Sequence, residues 1–79
     1  MVTVRCFAGV REILGREALT FTPPEGTFTA ADVLTSIAGN RLGDLPQPLL
    51  VAINLEHASL ASAVCDGDEI AFFPPVSGG

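Results

Sequence analysis

The chain ends in two glycines, Gly78 and Gly79, and the Gly79 carboxylate has the most definable chemistry in the sequence. Glycine has no Cβ, so this pair can pass through a channel too narrow for other residues. A carboxylate is a poor electrophile, and adenylation with ATP would give it a leaving group. A sulfur donor could then convert Gly79 to a thiocarboxylate, a soft sulfur nucleophile on a flexible arm. The alternative is an inert chain end, which is the common fate of termini.

A short tail without large side chains connects the two glycines to the rest of the chain. Two prolines at its start restrict φ and favour an extended exit. At about 3.3 to 3.6 Å per residue, six extended residues span roughly 20 Å, which is long enough to enter the active site of another protein. We predict a folded domain over residues 1–73 and an extended tail over residues 74–79. The tail residues expected to enter a partner are Pro74, Pro75, Val76, Ser77 and Gly78.

Composition restricts the classes of function. The chain has 79 residues, a formal net charge of -5 and only four Lys and Arg residues. We therefore expect no nucleic-acid binding, because phosphates need a basic surface, and an acidic surface suits a basic protein partner. Apolar runs are too short to span a membrane and no signal sequence is evident, so we predict a cytoplasmic protein without membrane contact. Cys6 and Cys65 form no CxxC motif, and with a single His they predict reduced, buried thiols and no metal site.

Alternation and helical spacing predict the elements that carry the tail. Thr29 and Asp32 form a capping box at the start of the main helix, with Phe28 placed to pack on Val33. The order of elements predicts an α+β fold, a mixed sheet with the main helix on one face, which matches the β-grasp arrangement. The expected elements are strands over residues 2–7, 17–22, 49–54 and 69–73, a weak strand near 56–60, a short helix near 10–14, a main helix between Thr29 and Gly39, and a loop over 41–48.

That arrangement predicts the positions of two aromatic residues. In a β-grasp fold the first and last strands are parallel central neighbours, so Phe7 and Phe73 are expected on the helix-free face. An aromatic pair on the open face of so small a sheet is a candidate partner surface. The alternative is that loops cover both rings.

Two segments carry a resemblance to a known family: FAGVREILG at residues 7–15 and DGDEIAFFPPVSGG at residues 66–79. The chain resembles the small subunit of molybdopterin synthase, the MoaD family of ubiquitin-like β-grasp proteins. The resemblance covers essentially the whole chain, because residues 31–38 fit the main helix of that family and residues 49–54 its central strand.

The resemblance implies a complete sulfur cycle at Gly79. An adenylating activating enzyme would use ATP on this glycine, and a sulfur donor protein would then thiolate it. The tail would enter the large subunit of molybdopterin synthase and pass sulfur to cyclic pyranopterin monophosphate, with two deliveries making the molybdopterin dithiolene. The resemblance further implies no bound cofactor, a heterotetramer, and catalytic side chains on the large subunit rather than on this chain.

The same resemblance assigns partner contacts. Phe7, Arg11 and Phe73 match interface positions of the family, although Arg11 is equally well explained as a solvated helix cation. His57 departs from the pattern, because the family usually has an apolar or aromatic residue there, and an exposed loop His is the simpler interpretation.

Three other functions stay open. A sulfur carrier for thiamine or tRNA thiolation would share the fold and the terminal glycines. A ubiquitin-like modifier would join Gly79 to substrate lysines. A plain β-grasp interaction module would use only the sheet face, and its activity would survive deletion of Gly79.

Overall fold

A mixed sheet lies at the centre of the computed structural model, which describes residues 1–23, 26 and 28–75. Within these residues the chain forms five strands, two α-helices and one 3₁₀ helix. In chain order the elements are β1 (Val2–Cys6), α1 (Ala8–Leu14), β2 (Ala18–Phe21), α2 (Ala30–Ala38), the 3₁₀ helix (Gly39–Asp44), β3 (Leu50–Ile53), β4 (Glu56–Ala58) and β5 (Glu69–Phe73).

The strand order in the sheet is β2-β1-β5-β3-β4. The first and last strands, β1 and β5, are parallel neighbours, with Val4 opposite Ile70 and Cys6 opposite Phe72. The other three pairings are antiparallel. The predicted α+β fold, its β-grasp arrangement and its central parallel pair are confirmed.

The helix α2 begins at the predicted capping box. The Asp32 backbone N–H donates to Thr29 Oγ1 at 3.2 Å, and the Thr29 backbone N–H donates to Asp32 Oδ2 at 2.9 Å. Two donors that the first helical turn cannot satisfy internally are thereby satisfied. One side of α2 is apolar, and its residues Val33, Leu34 and Ala38 are buried in the main core.

Alternate residues of the two central strands fill that core. Val2, Val4 and Cys6 of β1 are buried, as are Ile70 and Phe72 of β5. Successive side chains of a strand point to opposite faces, so the intervening residues of both strands lie on the other face of the sheet. The sheet therefore has a closed face, packed in one cluster with α2, and an open face.

Two expectations from the sequence are wrong. The segment expected as a loop over residues 41–48 begins within the 3₁₀ helix, which follows α2 directly and ends at Asp44, before the buried Leu45. Cys65 is exposed rather than buried, because it lies in the turn before β5, where its backbone N–H donates to Asp68 Oδ2 at 2.8 Å. Cys6 is buried as predicted, and burial raises the pKa of its thiol.

Candidate functional site

The base of the predicted tail lies where β5 ends. Pro74 is half-buried and Pro75 is exposed. The predictions for Val76, Ser77, Gly78 and Gly79 fall outside the described residues. The extended tail and the reactive carboxylate therefore stay predictions, and the site can be described from the surface beside Pro74 and Pro75.

An apolar groove runs along the open face of the sheet from the base of the tail. We call it the open-face groove. Its volume is about 570 Å³, and the residues that line it are all apolar. They are Phe7, Ala8, Leu55, Ala71, Phe73, Pro74 and Pro75.

Strand alternation and one backbone contact build the end of the groove next to the tail. Phe73 is on the face opposite Phe72, and the small side chain of Ala71 leaves room between Phe73 and the start of the strand. The Phe7 backbone N–H donates to the Phe72 carbonyl oxygen at 3.3 Å, which holds Phe7 beside β5. Phe7 is 47% exposed, so the alternative that loops cover both rings is wrong for this residue.

The far end of the groove is a two-residue turn between β3 and β4. Asn54 and Leu55 both have positive φ, 51° and 69°, as in type I′ hairpin turns. Leu55 is 91% exposed and lines the groove. Leu55 is not among the interface residues predicted from the sequence. The available signal was an Asn followed by one residue between two apolar strands, the spacing of a tight hairpin.

Three hydrogen bonds attach that turn to the start of β5. The Asn54 backbone N–H donates to the Glu69 carbonyl oxygen at 2.8 Å, and Asn54 Oδ1 accepts from the Glu69 N–H at 3.0 Å. Asn54 Nδ2 donates to Asp68 Oδ1 at 3.0 Å. The backbone N–H of Cys65 and then the Asn54 amide hold the pKa of the Asp68 carboxyl below its ordinary value. The turn is thus fixed relative to β5.

His57 lies beside the groove rather than in a loop. It is an exposed residue of β4, opposite Ala52 of β3. Its ring centroid is 6.2 Å from that of Phe73, with a tilt of 58° between the rings. Tilted arrangements of this kind are favourable for aromatic pairs. The simpler interpretation of His57 as a loop residue is therefore wrong, and its ring flanks Phe73.

Arg11 is placed differently from the two Phe residues. Its Nη1 lies 3.3 Å from Glu17 Oε1, and both side chains are exposed. Arg11 is not among the residues that line the open-face groove. The structure thus brings Phe7 and Phe73 to one surface and leaves Arg11 in an exposed ion pair.

Among residues 1–23, 26 and 28–75, no three His, Cys, Asp or Glu side chains come together as potential metal ligands. Neither helix α1 nor helix α2 in this part has the length and hydropathy of a membrane span.

Comparison with known proteins supports the interpretation of the fold. Residues 4–79 match the ThiS family. The chain is 42% identical, over the full length of both chains, to the molybdopterin synthase sulfur carrier subunit of Haemophilus influenzae, and 37% identical, again over both full lengths, to that of Escherichia coli. The crystal structure of SAMP1 from Haloferax volcanii superposes with a TM-score of 0.77 at 32% identity, covering 99% of this chain and 98% of that one.

The family match covers residues 4–79, and the similarity to the Haemophilus influenzae subunit covers the whole of both chains. The resemblance to small subunits of molybdopterin synthase is confirmed. By its fold and by its similarity over almost the whole length, the chain belongs to the ThiS family.

Proposed function

We propose that this chain is a sulfur carrier that holds sulfur on Gly79 as a thiocarboxylate and delivers it to the large subunit of molybdopterin synthase. The observation that carries the proposal is the apolar groove at the base of the tail. Pro74 and Pro75 line this groove and also begin the tail. Similarity to carrier subunits over the full length supports the same conclusion.

The length of the tail limits where a partner can be. Four residues follow Pro75, and at about 3.3 to 3.6 Å each they reach roughly 14 Å. A protein that takes Gly79 into its active site must therefore have its surface close to the open-face groove. Burial of Phe7 and Phe73 against that surface would supply affinity, because aromatic side chains often dominate binding energy at interfaces.

The chemistry proceeds in three steps. An activating enzyme joins the Gly79 carboxylate to AMP from ATP and releases pyrophosphate. A sulfur donor protein then supplies sulfur at the oxidation level of sulfide, which attacks the glycine carbonyl and displaces AMP, so Gly79 becomes a thiocarboxylate. In the large subunit the thiocarboxylate sulfur forms a C–S bond to a carbon of the pterin precursor in place of a C–O bond, whose oxygen leaves as water or as a phosphate oxygen. Water then cleaves the bond between sulfur and the glycine carbonyl, which leaves the sulfur on the precursor and regenerates the Gly79 carboxylate. Two such deliveries complete a dithiolene.

The chain acts in this cycle as a reagent rather than a catalyst. ATP is bound by the activating enzyme, and this chain carries no cofactor. The groups that move protons during transfer belong to the large subunit. The part of this chain is to present Gly79, with the groove setting the orientation and the tail setting the reach.

The charges of the chain favour a basic partner. The formal net charge is -5, so a surface with positive charge around an apolar centre would be steered toward the chain. Arg11 can join that contact at small cost, because its pair with Glu17 is exposed and exposed ion pairs contribute little to stability. His57 extends the aromatic surface beside Phe73.

The proposal is tested by loading the carrier in solution. The chain is incubated with its activating enzyme, ATP and a sulfur donor, and its intact mass is measured. We expect the mass to rise by the difference between one sulfur and one oxygen atom. Fragmentation should place the change at Gly79.

A variant that lacks Gly79 is the matched control and should not load. An unchanged mass of the native chain, under conditions that load a characterised carrier, would contradict the proposal. Loading followed by sulfur transfer to a thiazole synthase but not to a molybdopterin synthase would assign the carrier to thiamine synthesis instead.

Protein modification is a second candidate, favoured by one observation. The chain is 34% identical over 85 residues to small archaeal modifier protein 1 of Haloferax volcanii. The same adenylated Gly79 would then be attacked by a lysine amine, with release of AMP and formation of an isopeptide bond. Mass spectrometry of cellular proteins tests this directly, because lysines that carry the C-terminal segment of this chain should be found only where Gly79 is present.

A further inference from the structure

Leu55 is a large apolar side chain at a position that favours glycine. Its φ of 69° lies in the left-handed region, where a Cβ atom comes close to the following carbonyl oxygen. The second central residue of a type I′ turn is most often Gly for this reason. Leu55 recovers little through burial, since it is 91% exposed. In the free chain this leucine therefore carries the cost of its left-handed backbone without a compensating gain from burial.

The turn cannot relax easily. Asn54 makes three hydrogen bonds to Asp68 and Glu69, and Asp68 is held in turn by the backbone N–H of Cys65. The Leu55 side chain is consequently presented at a fixed place relative to β5. Strained residues that the surrounding structure holds in place occur preferentially at functional sites.

That place is at the opposite end of the open-face groove from the tail. The turn lies beside Glu69, the first residue of β5, whereas Pro74 follows the last. Four residue steps along a strand, at about 3.3 Å each, correspond to roughly 13 Å. Leu55 and Pro74 nevertheless line one continuous groove, with Ala71 between them.

A partner seated at the base of the tail would reach this end of the groove. A typical interface covers about 800 Å² on each partner and is roughly 30 Å across. The large subunit, held within about 14 Å of Pro75 by the tail, would therefore also cover Leu55.

We propose that Leu55 is a specificity-determining anchor that inserts into an apolar pocket of the molybdopterin synthase large subunit, at the end of the groove farther from the tail. This inference rests on the proposed function. The partner would thus be held at two separated points. The tail requires an active site that accepts Gly79, and Leu55 requires an apolar pocket of matching shape. Burial in the complex would offset what this leucine costs the free chain.

The test compares full-length variants for binding to the purified large subunit by calorimetry and for thermal unfolding. Leu55→Ala removes most of the side chain, and Leu55→Gly removes it together with the strain. We expect both to raise Kd about tenfold, as for loss of a well-packed interface side chain. The Tm of Leu55→Gly should equal or exceed that of the native chain. Leu42→Ala, at another exposed leucine outside the groove, should bind as the native chain does.

The possible outcomes separate the two proposals. Native affinity in both Leu55 variants, while Phe73→Ala weakens binding, would overturn the role of Leu55 and leave the proposed function standing. A similar loss in Leu42→Ala would also overturn it, because the effect would not be specific to the groove. Failure of the native chain to bind the large subunit would overturn both.

Discussion

Phe72 and Phe73 are neighbours in β5, yet they occupy opposite environments. Phe72 is fully buried in the core, and Phe73 is half-buried on the wall of the open-face groove. The two rings have the same chemistry, and only strand alternation separates them. The comparison shows that the two faces of a small sheet can have different roles: one face stabilises the fold, and the other is available for binding.

The two faces of the sheet differ in the same way beyond β5. On the closed face, residues from β1, β5 and α2 belong to one buried cluster. On the open face, Phe7 and Leu55 are large apolar side chains that stay exposed in the described part of the chain. Burying either of them in the fold would have stabilised it, so their exposure is better explained by a contact with another protein.

The largest effect is expected from Phe72→Ala. Removing a fully buried aromatic side chain leaves a cavity and typically lowers the free energy of unfolding by about 3 to 5 kcal/mol. The total for a chain of this length is roughly 4 to 12 kcal/mol, so a large part of the stability should be lost. Urea unfolding followed by circular dichroism measures the change.

A second prediction concerns the other ring. Phe73→Ala should lower the affinity for the large subunit by about 2 kcal/mol or more, roughly thirtyfold in Kd, because it removes an aromatic anchor of the interface. Its effect on the free energy of unfolding should be smaller than that of Phe72→Ala, since Phe73 is only half-buried. Titration calorimetry and urea unfolding of the same samples give both values.

These two variants form a matched pair. Two results would contradict the assignment of stability to the closed face and binding to the open face. One is that Phe73→Ala destabilises the fold as much as Phe72→Ala, and the other is that Phe73→Ala leaves the affinity for the large subunit unchanged.

The smallest effect is expected from the carboxylate that fixes the turn at the edge of the open face. The folded-state pKa of Asp68 is lower than its ordinary value, so the carboxylate stabilises the fold at pH values above about 3.9, and this contribution is lost as the pH falls below that value. Asp68→Asn should therefore reduce the dependence of stability on pH in this acidic range. Urea midpoints measured across the range test the prediction.

Asp44→Asn makes the same change of net charge in the 3₁₀ helix, away from the groove. If both variants altered the acid dependence equally, the effect would come from net charge rather than from the hydrogen bonds of Asp68.

Much of the closed face could be predicted because its signals are local. The capping box at Thr29 and Asp32 needs only residues three apart, and alternation over residues 69–73 already separates Phe72 from Phe73. The 3₁₀ helix after α2 was not predicted, because two prolines at residues 46 and 48 favoured a loop. The exposure of Cys65 was missed for a related reason: a general preference of thiols for burial took no account of a turn.

The open face depends more on contacts between distant segments. Phe7 and Phe73 could be placed together only by assuming the β-grasp arrangement, and their actual proximity comes from the parallel pairing of β1 with β5. The packing of His57 near Phe73 and the position of Leu55 on the groove depend on how β3 pairs with both β4 and β5. None of these contacts has a signature in a short stretch of sequence.

The sequence by itself predicted a reactive C-terminal glycine and an extended proline exit, and it determined the sides of β1 and β5 that face the core. These properties follow from the covalent structure of single residues and from the twofold repeat of a strand. Only the tertiary structure decided that an apolar groove begins at the base of the tail and ends at a strained leucine. Strand pairing brings residues from three parts of the chain to that surface, and such pairing is fixed by packing of the whole sheet.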